Sequence, residues 1–170
     1  MTTRFAVCDR IRQEHARRLL YDEPQGSGRP LWLWFFVMLE INAKLWDELV
    51  EHSLDEAPNE CCGFLIGSGG VASRVLRLRN EAASPREYHA DPRDLFAAHR
   101  TMRDSELELV AIYHSHPASE AKPSQRDLAE NFYEDVPHII ISLAGPTPVI
   151  RAFRLLSTRF EELPCERRQN

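Results

Sequence analysis

The sequence lacks most of what a disulfide scaffold, a membrane protein or a nucleic-acid coat would need. Only four cysteines occur in 170 residues, Cys8, Cys61, Cys62 and Cys165. Two of them are adjacent and no C-x-x-C pair exists, so a disulfide framework is excluded and a reducing, cytoplasmic setting is expected. The longest apolar run, Leu31 to Leu39, would span about 14 Å as a helix, against a bilayer core of about 30 Å. It is preceded by a long, partly acidic stretch and followed by no small-residue cleavage site, so it reads as neither a membrane span nor a secretory leader. Positive charge is not in surplus either. Lys+Arg number 21 against 26 Asp+Glu, a net charge of -5, which speaks against a nucleic-acid partner bound through its phosphates. No internal repeat is visible.

What is present suits one compact domain. Hydrophobic residues make up 43% and charged residues 28%, an ordinary globular balance at an ordinary domain length. Residues 1–37 differ in composition from the rest: they are rich in arginine and broken by Pro24-Gln25-Gly26-Ser27-Gly28-Arg29-Pro30. They are expected to form an N-terminal extension, disordered or lying upstream of the natural start at Met38. Residues 38–164 carry the regular patterning, and 165–170 read as a polar tail.

Within 38–164, Asn42 caps a helix whose apolar face is Leu45, Trp46, Leu49 and Val50. Cys61 to Ile66 and Val71 to Arg79 flank Gly67-Ser68-Gly69-Gly70 and predict a hairpin. Asp91-Pro92 opens a second helix with Leu95, Ala98, His99 and Met102 on its inner stripe. Leu107 to Tyr113 is a strand, Ser124 starts a helix reaching about Glu134, and His138 to Leu143 is a buried strand. After Gly145-Pro146-Thr147-Pro148, Val149 to Leu156 forms a last long strand. Strands interrupted by helices predict an α/β fold with a mixed sheet flanked by helices.

The chemistry gathers where strand Leu107–Tyr113 runs into His114-Ser115-His116-Pro117. Two histidines at i and i+2 on extended backbone project to one side and can reach one ion. Asp127 follows in Pro123-Ser124-Gln125-Arg126-Asp127. Two imidazoles and a carboxylate leave a fourth zinc position for water, the pattern of a catalytic site. Each part has a plainer reading: a histidine is usually structural, and Ser124-x-x-Asp127 is a capping box. The joint spacing favours the metal, and a capped helix start would also hold Asp127 still. A hydrolytic centre further needs a proton-transfer group, and Glu60, at the edge of the apolar run Cys61 to Ile66, is the upstream candidate.

Glu60 with Cys-Cys-Gly-Phe-Leu-Ile-Gly behind it, His114-Ser115-His116-Pro117 and Ser124-x-x-Asp127 together resemble the JAMM (MPN-plus) metalloprotease family. The short bacterial and archaeal members are the most similar, over about Met38 to Leu163. The resemblance implies a three-layer αβα sandwich with a curved mixed sheet, similar to the cytidine deaminase fold. It implies one Zn2+ per chain on His114, His116 and Asp127, with Glu60 as general acid/base and Ser124 donating its hydroxyl to the oxyanion. It also implies a substrate: the peptide or isopeptide bond after the C-terminal Gly-Gly of a ubiquitin-like or sulfur-carrier protein. Alternatives are a non-catalytic MPN scaffold, which would have lost motif residues kept here, and a RadC-like protein, which would bring a helix-hairpin-helix segment and a basic bias. A nucleobase deaminase would need His-x-Glu and Pro-Cys-x-x-Cys, and Pro164-Cys165 supplies no second cysteine. Cys61 and Cys62 have no histidine placed beside them by the sequence and are expected to fill the core.

Overall fold

A computed structural model describes residues 38–133 and 135–169. The expectation for residues 1–37 lies outside that range. The described elements run β1 (Leu39–Asn42), α1 (Ala43–Glu56), β2 (Cys62–Ser68), β3 (Val71–Leu78), α2 (Pro92–Asp104), β4 (Glu108–His116), α3 (Gln125–Ala129), β5 (His138–Ser142), β6 (Val149–Leu155), β7 (Phe160–Leu163) and β8 (Cys165–Arg168).

The central sheet has six strands in the order β3-β2-β4-β5-β6-β7. Only β4 and β5 are parallel, joined by the crossover that carries α3. The expected hairpin is β2–β3. Gly69 and Gly70 sit at its tip with φ of 60° and 80°, left-handed conformations that a two-residue turn demands and that glycine adopts without steric cost. The three expected helix starts, at Asn42, Asp91 and Ser124, are as the caps dictate. Asn42 Oδ1 accepts from Leu45 N at 3.0 Å, and Asp91 Oδ1 accepts from Arg93 N at 2.6 Å, with Pro92 in the first turn.

Side-chain alternation sorts the core onto the two faces of the sheet, which makes the molecule an α/β sandwich. On one face Cys61, Leu65, Ala111, Tyr113, Ile139 and Ile141 meet Leu45 and Leu49 of α1 and Leu39 and Ile41 of β1. On the other, Cys62, Phe64, Ile66 and Ile112 meet Ala98 and Met102 of α2. Further along that second face lies a smaller cluster of Ala121, Leu128, Ile140, Phe153 and Leu155. One β-bulge interrupts the alternation: Leu65 pairs with Ala111 but Ile66 with Leu109, so Val110 is an extra residue on β4. Downstream of it, Ile112, His114 and His116 share the α2 face.

Three features depart from the sequence reading. The helix begun at Ser124 stops at Ala129 and does not reach Glu134. Asn131 ends it: its side chain donates to Leu155 O at 2.9 Å and accepts from Tyr133 N at 2.9 Å, a local turn that competes with helical bonding. The strand Val149–Leu155 is not the last, since β7 pairs with β6. Residues 165–168, expected as polar tail, form β8 parallel to β1, with Leu39 opposite Cys165 and Asn42 opposite Arg168. Their outward side chains are polar, but the backbone is paired; Arg168 also meets Glu40 at 2.8 Å and Arg167 meets Asp47 at 2.9 Å.

Candidate metal centre

Strand β4 delivers the two histidines together. His114 stands in register between Cys62 of β2 and Ile140 of β5, where the two apolar clusters of that face part. His114 Nε2 and His116 Nε2 lie 3.2 Å apart. Asp127, at the third position of α3, closes the group: Oδ1 is 3.5 Å from His114 Nε2 and Oδ2 3.6 Å from His116 Nε2. One ligand-type atom from each of the three lies within 4.8 Å of the others.

Each donor is aimed by something outside the triad. His116 Nδ1 donates to the Glu120 carbonyl at 2.8 Å. That bond fixes the proton on Nδ1 and leaves the Nε2 lone pair facing inward, the arrangement metal-ligating histidines show. Tyr88 stacks on the His114 ring, centroids 4.8 Å apart and 25° from parallel. Asp127 is held by a capping box: Ser124 N donates to Asp127 Oδ2 at 2.6 Å, and Asp127 N donates to Ser124 Oγ at 3.1 Å. The plain reading of that motif and the ligand reading thus describe the same atoms. Ser124 itself is exposed, and its hydroxyl accepts the cap bond while keeping its own proton to give.

The electrostatics fit a cation. Burial works against charge on Asp127, yet hydrogen bonding to His114 and His116 and the Ser124 N–H overrides it and holds the carboxyl well below the usual range. Burial alone would lower His116, but the Asp127 carboxylate and the Glu120 carbonyl raise it. Two imidazole Nε2 atoms turned toward each other, with a carboxylate oxygen 3.5 to 3.6 Å from each, gather three metal-ligand-type groups in one place. A two-nitrogen, one-oxygen set suits zinc with a position free.

Glu60 lies beside this group, two residues before β2, and is only 5% exposed. Burial pushes its carboxyl up to about 7, with His116 pulling it down and Asp127 pushing it up. A carboxyl of that kind exchanges a proton near neutral pH. The adjacent thiols are inert. Cys61 and Cys62 are buried, and burial raises both, Cys62 to about 12.

Residues that the motifs did not single out also sit here. Ser115, between the histidines, faces the other way: its N–H donates to Cys61 O at 3.0 Å and its Oγ accepts from Cys61 N at 2.8 Å. His138 is buried with both ring nitrogens unpartnered among the described residues, and burial, then His114, lowers it to about 3. Tyr88 had no sequence signal, while the period-2 pattern of β4 was enough to turn Ser115 away from the histidines.

The αβα sandwich gathers two histidines from β4, an aspartate from α3 and the buried Glu60 into one group, a donor set of the kind that holds a metal ion. The chain belongs to the family of prokaryotic homologs of the JAB domain, which it matches over residues 42–156. It is 32% identical to the CysO-cysteine peptidase of Mycobacterium tuberculosis over 130 residues, 75% of this chain and 89% of that protein. It is 39% identical to a probable TtuB-protein conjugate cleaving protease of Thermus thermophilus over 120 residues, 70% of this chain and 77% of that one. The solution structure of a protein from Desulfitobacterium hafniense matches with a TM-score of 0.71 at 32% identity, covering 78% of this chain and 94% of that one. The family and these peptidase relatives make the chain a hydrolase of the peptidase class.

Proposed function

We propose that the protein is a zinc-dependent peptidase or isopeptidase that hydrolyses the bond after the C-terminal Gly-Gly of a ubiquitin-like or sulfur-carrier protein. His114, His116 and Asp127 are the zinc ligands, one ion per chain. Glu60 is the general acid/base and Ser124 a hydroxyl donor to the developing oxyanion. The observation that carries this reading is the convergence of three fixed donors beside a buried carboxyl with a pKa near neutrality. Relatives named for a CysO-cysteine bond and for TtuB-protein conjugates support the substrate class.

Zinc bound at the triad supplies a Lewis acid and makes water a competent nucleophile near neutral pH. The rest is the work of the chain's own groups. Glu60, ionised, accepts a proton from the attacking water as the new C–O bond forms at the carbonyl. Its carboxyl then returns that proton to the leaving nitrogen as the C–N bond breaks, so the catalyst ends as it began. Ser124 donates its hydroxyl hydrogen to the carbonyl oxygen while that oxygen carries negative charge, a contact that strengthens only on the way to the transition state. A glycine pair suits such a site because backbone without side chains reaches a recessed centre closely.

The test is cleavage of a Gly-Gly-ended carrier extended by one amino acid or joined to a lysine. Wild type should release the carrier, and Glu60→Gln should lose about 10² to 10⁴ in rate while keeping its zinc. Binding of the intact conjugate without cleavage by wild type would instead make the protein a scaffold on this fold.

A further inference from the structure

Glu60 is the reacting group with the least regular support. Strand β2 begins only at Cys62, so neither sheet ladder reaches Glu60 itself. Both of its backbone groups bond instead to the loop 79–91 between β3 and α2. Its N–H donates to Ser84 O at 2.9 Å, and its C=O accepts from Asn80 Nδ2 at 2.9 Å.

Asn80 is the knot of that loop. A carboxamide offers two N–H donors and two acceptor lone pairs, and Asn80 uses all four. Nδ2 donates to Glu60 O and to Glu87 O, the latter at 3.0 Å, while Oδ1 accepts from Ala82 N at 3.0 Å and His89 N at 2.9 Å. Two carbonyls and two amides as partners leave one orientation of the carboxamide. The loop so tied also touches the rest of the centre. Tyr88 covers His114, Glu87 pairs with Arg126 next to Asp127, and His89 approaches Glu130 at 3.8 Å. On its other side, Glu60 adjoins Cys61, which the Ser115 bonds fasten between the two histidines.

We propose that Asn80 is a positioning residue for Glu60: its side chain welds Glu60 and loop 79–91 into one unit and sets the distance of the Glu60 carboxyl from the His114, His116 and Asp127 group. The proposal rests on the function proposed above. Asn80 touches no reacting atom in this scheme and acts only through Glu60. A displacement of about 1 Å in such a group is enough to cost about 10²-fold in rate.

The informative variant is Asn80→Asp, which keeps both acceptor bonds and loses both donations; Asn80→Ala loses all four. In Asn80→Asp, kcat should fall at least about tenfold, with KM within about twofold and zinc content as in wild type. Tyr113→Phe, on the opposite face of the sheet, should keep kcat despite its lower thermal midpoint. Native-state hydrogen exchange gives a second readout that needs no substrate. The Glu60 amide should lose about tenfold in protection in Asn80→Asp, while the amides of Cys62–Ser68 keep theirs. Wild-type kcat in Asn80→Asp, or loss of zinc or a matching rise of KM alongside the fall in kcat, would overturn the proposal. So would unchanged protection at Glu60. If wild type cleaves no Gly-Gly conjugate, the function reading has failed, and the exchange result still decides whether Asn80 holds Glu60.

Discussion

The two faces of the central sheet treat buried polar groups in opposite ways. On the α1 face they are paired off. His52 Nδ1 meets the Tyr113 hydroxyl at 2.8 Å, Ser53 Oγ donates to Leu49 O at 2.9 Å, and Ser115 closes on Cys61. Gly63 makes the first pair possible, because a Cβ there would stand 2.5 Å from the Tyr113 oxygen. On the α2 face, β4 places His114 and His116 with nitrogens turned toward each other, and His138 at the start of β5 has no hydrogen-bond partner among the described residues. Paired groups stabilise a core, whereas buried nitrogens without a partner, as at His138 and His114 Nδ1, cost stability. Beyond its bulge, β4 thus serves a sealed core with Ala111, Tyr113 and Ser115 and the candidate centre with His114 and His116.

Substitutions should separate the faces. The largest effect belongs to His116→Ala, which removes a proposed ligand: zinc content by elemental analysis should drop to near zero and hydrolysis with it, while the metal-free fold changes little by circular dichroism. Ser124→Ala should cost about 10² to 10³ in kcat, as loss of one oxyanion donor does, with about 1 kcal/mol of stability lost from the helix cap. Thermal and kinetic measurements on the one variant read the two losses apart. On the sealed face, Tyr113→Phe should cost about 1 to 3 kcal/mol in denaturant unfolding by stranding the buried His52 nitrogen, with zinc and kcat unchanged. If zinc is lost there instead, the faces are not independent.

The gentlest effect is on pH. Burial, with Arg77 nearby, lowers His52 to about 4, against an ordinary value of 6.5. Between those values the unfolded chain binds the proton that the folded chain refuses, so stability rises with pH in this range. It is complete above about 6.5 and falls as the pH drops toward 4. In His52→Gln the slope of unfolding free energy against pH between 4 and 6.5 should be shallower than in wild type; an unchanged slope would assign the loss to other groups.

The parts of this design that depend on neighbours in sequence were legible from it. Histidines two apart on a strand must share a face, Asn42, Asp91 and Ser124 announce helix starts, and Gly69-Gly70 announces the tight turn. The centre's supports were not legible, because they join residues that only the fold brings together. Tyr88 reaches His114 from the loop after β3, and the Glu120 carbonyl sets His116 by a backbone group that any residue could supply. The same holds for β1 and β8, four-residue strands from opposite ends of the described chain. Neither is long enough to show a period, and each is a strand because the other is there. Helix α3 is shorter than its sequence pattern implies for a local reason, the Asn131 turn, which an asparagine permits but does not demand.

The central claim is that His114, His116 and Asp127 form one zinc site. Metal content per chain, measured on wild type and on Asp127→Ala after dialysis against trace zinc, tests it most directly. About one zinc in wild type and a large loss in Asp127→Ala is the expected result, because a carboxylate fixed by its capping box is one of only three protein ligands. Full zinc occupancy in Asp127→Ala, or none in wild type, would contradict it.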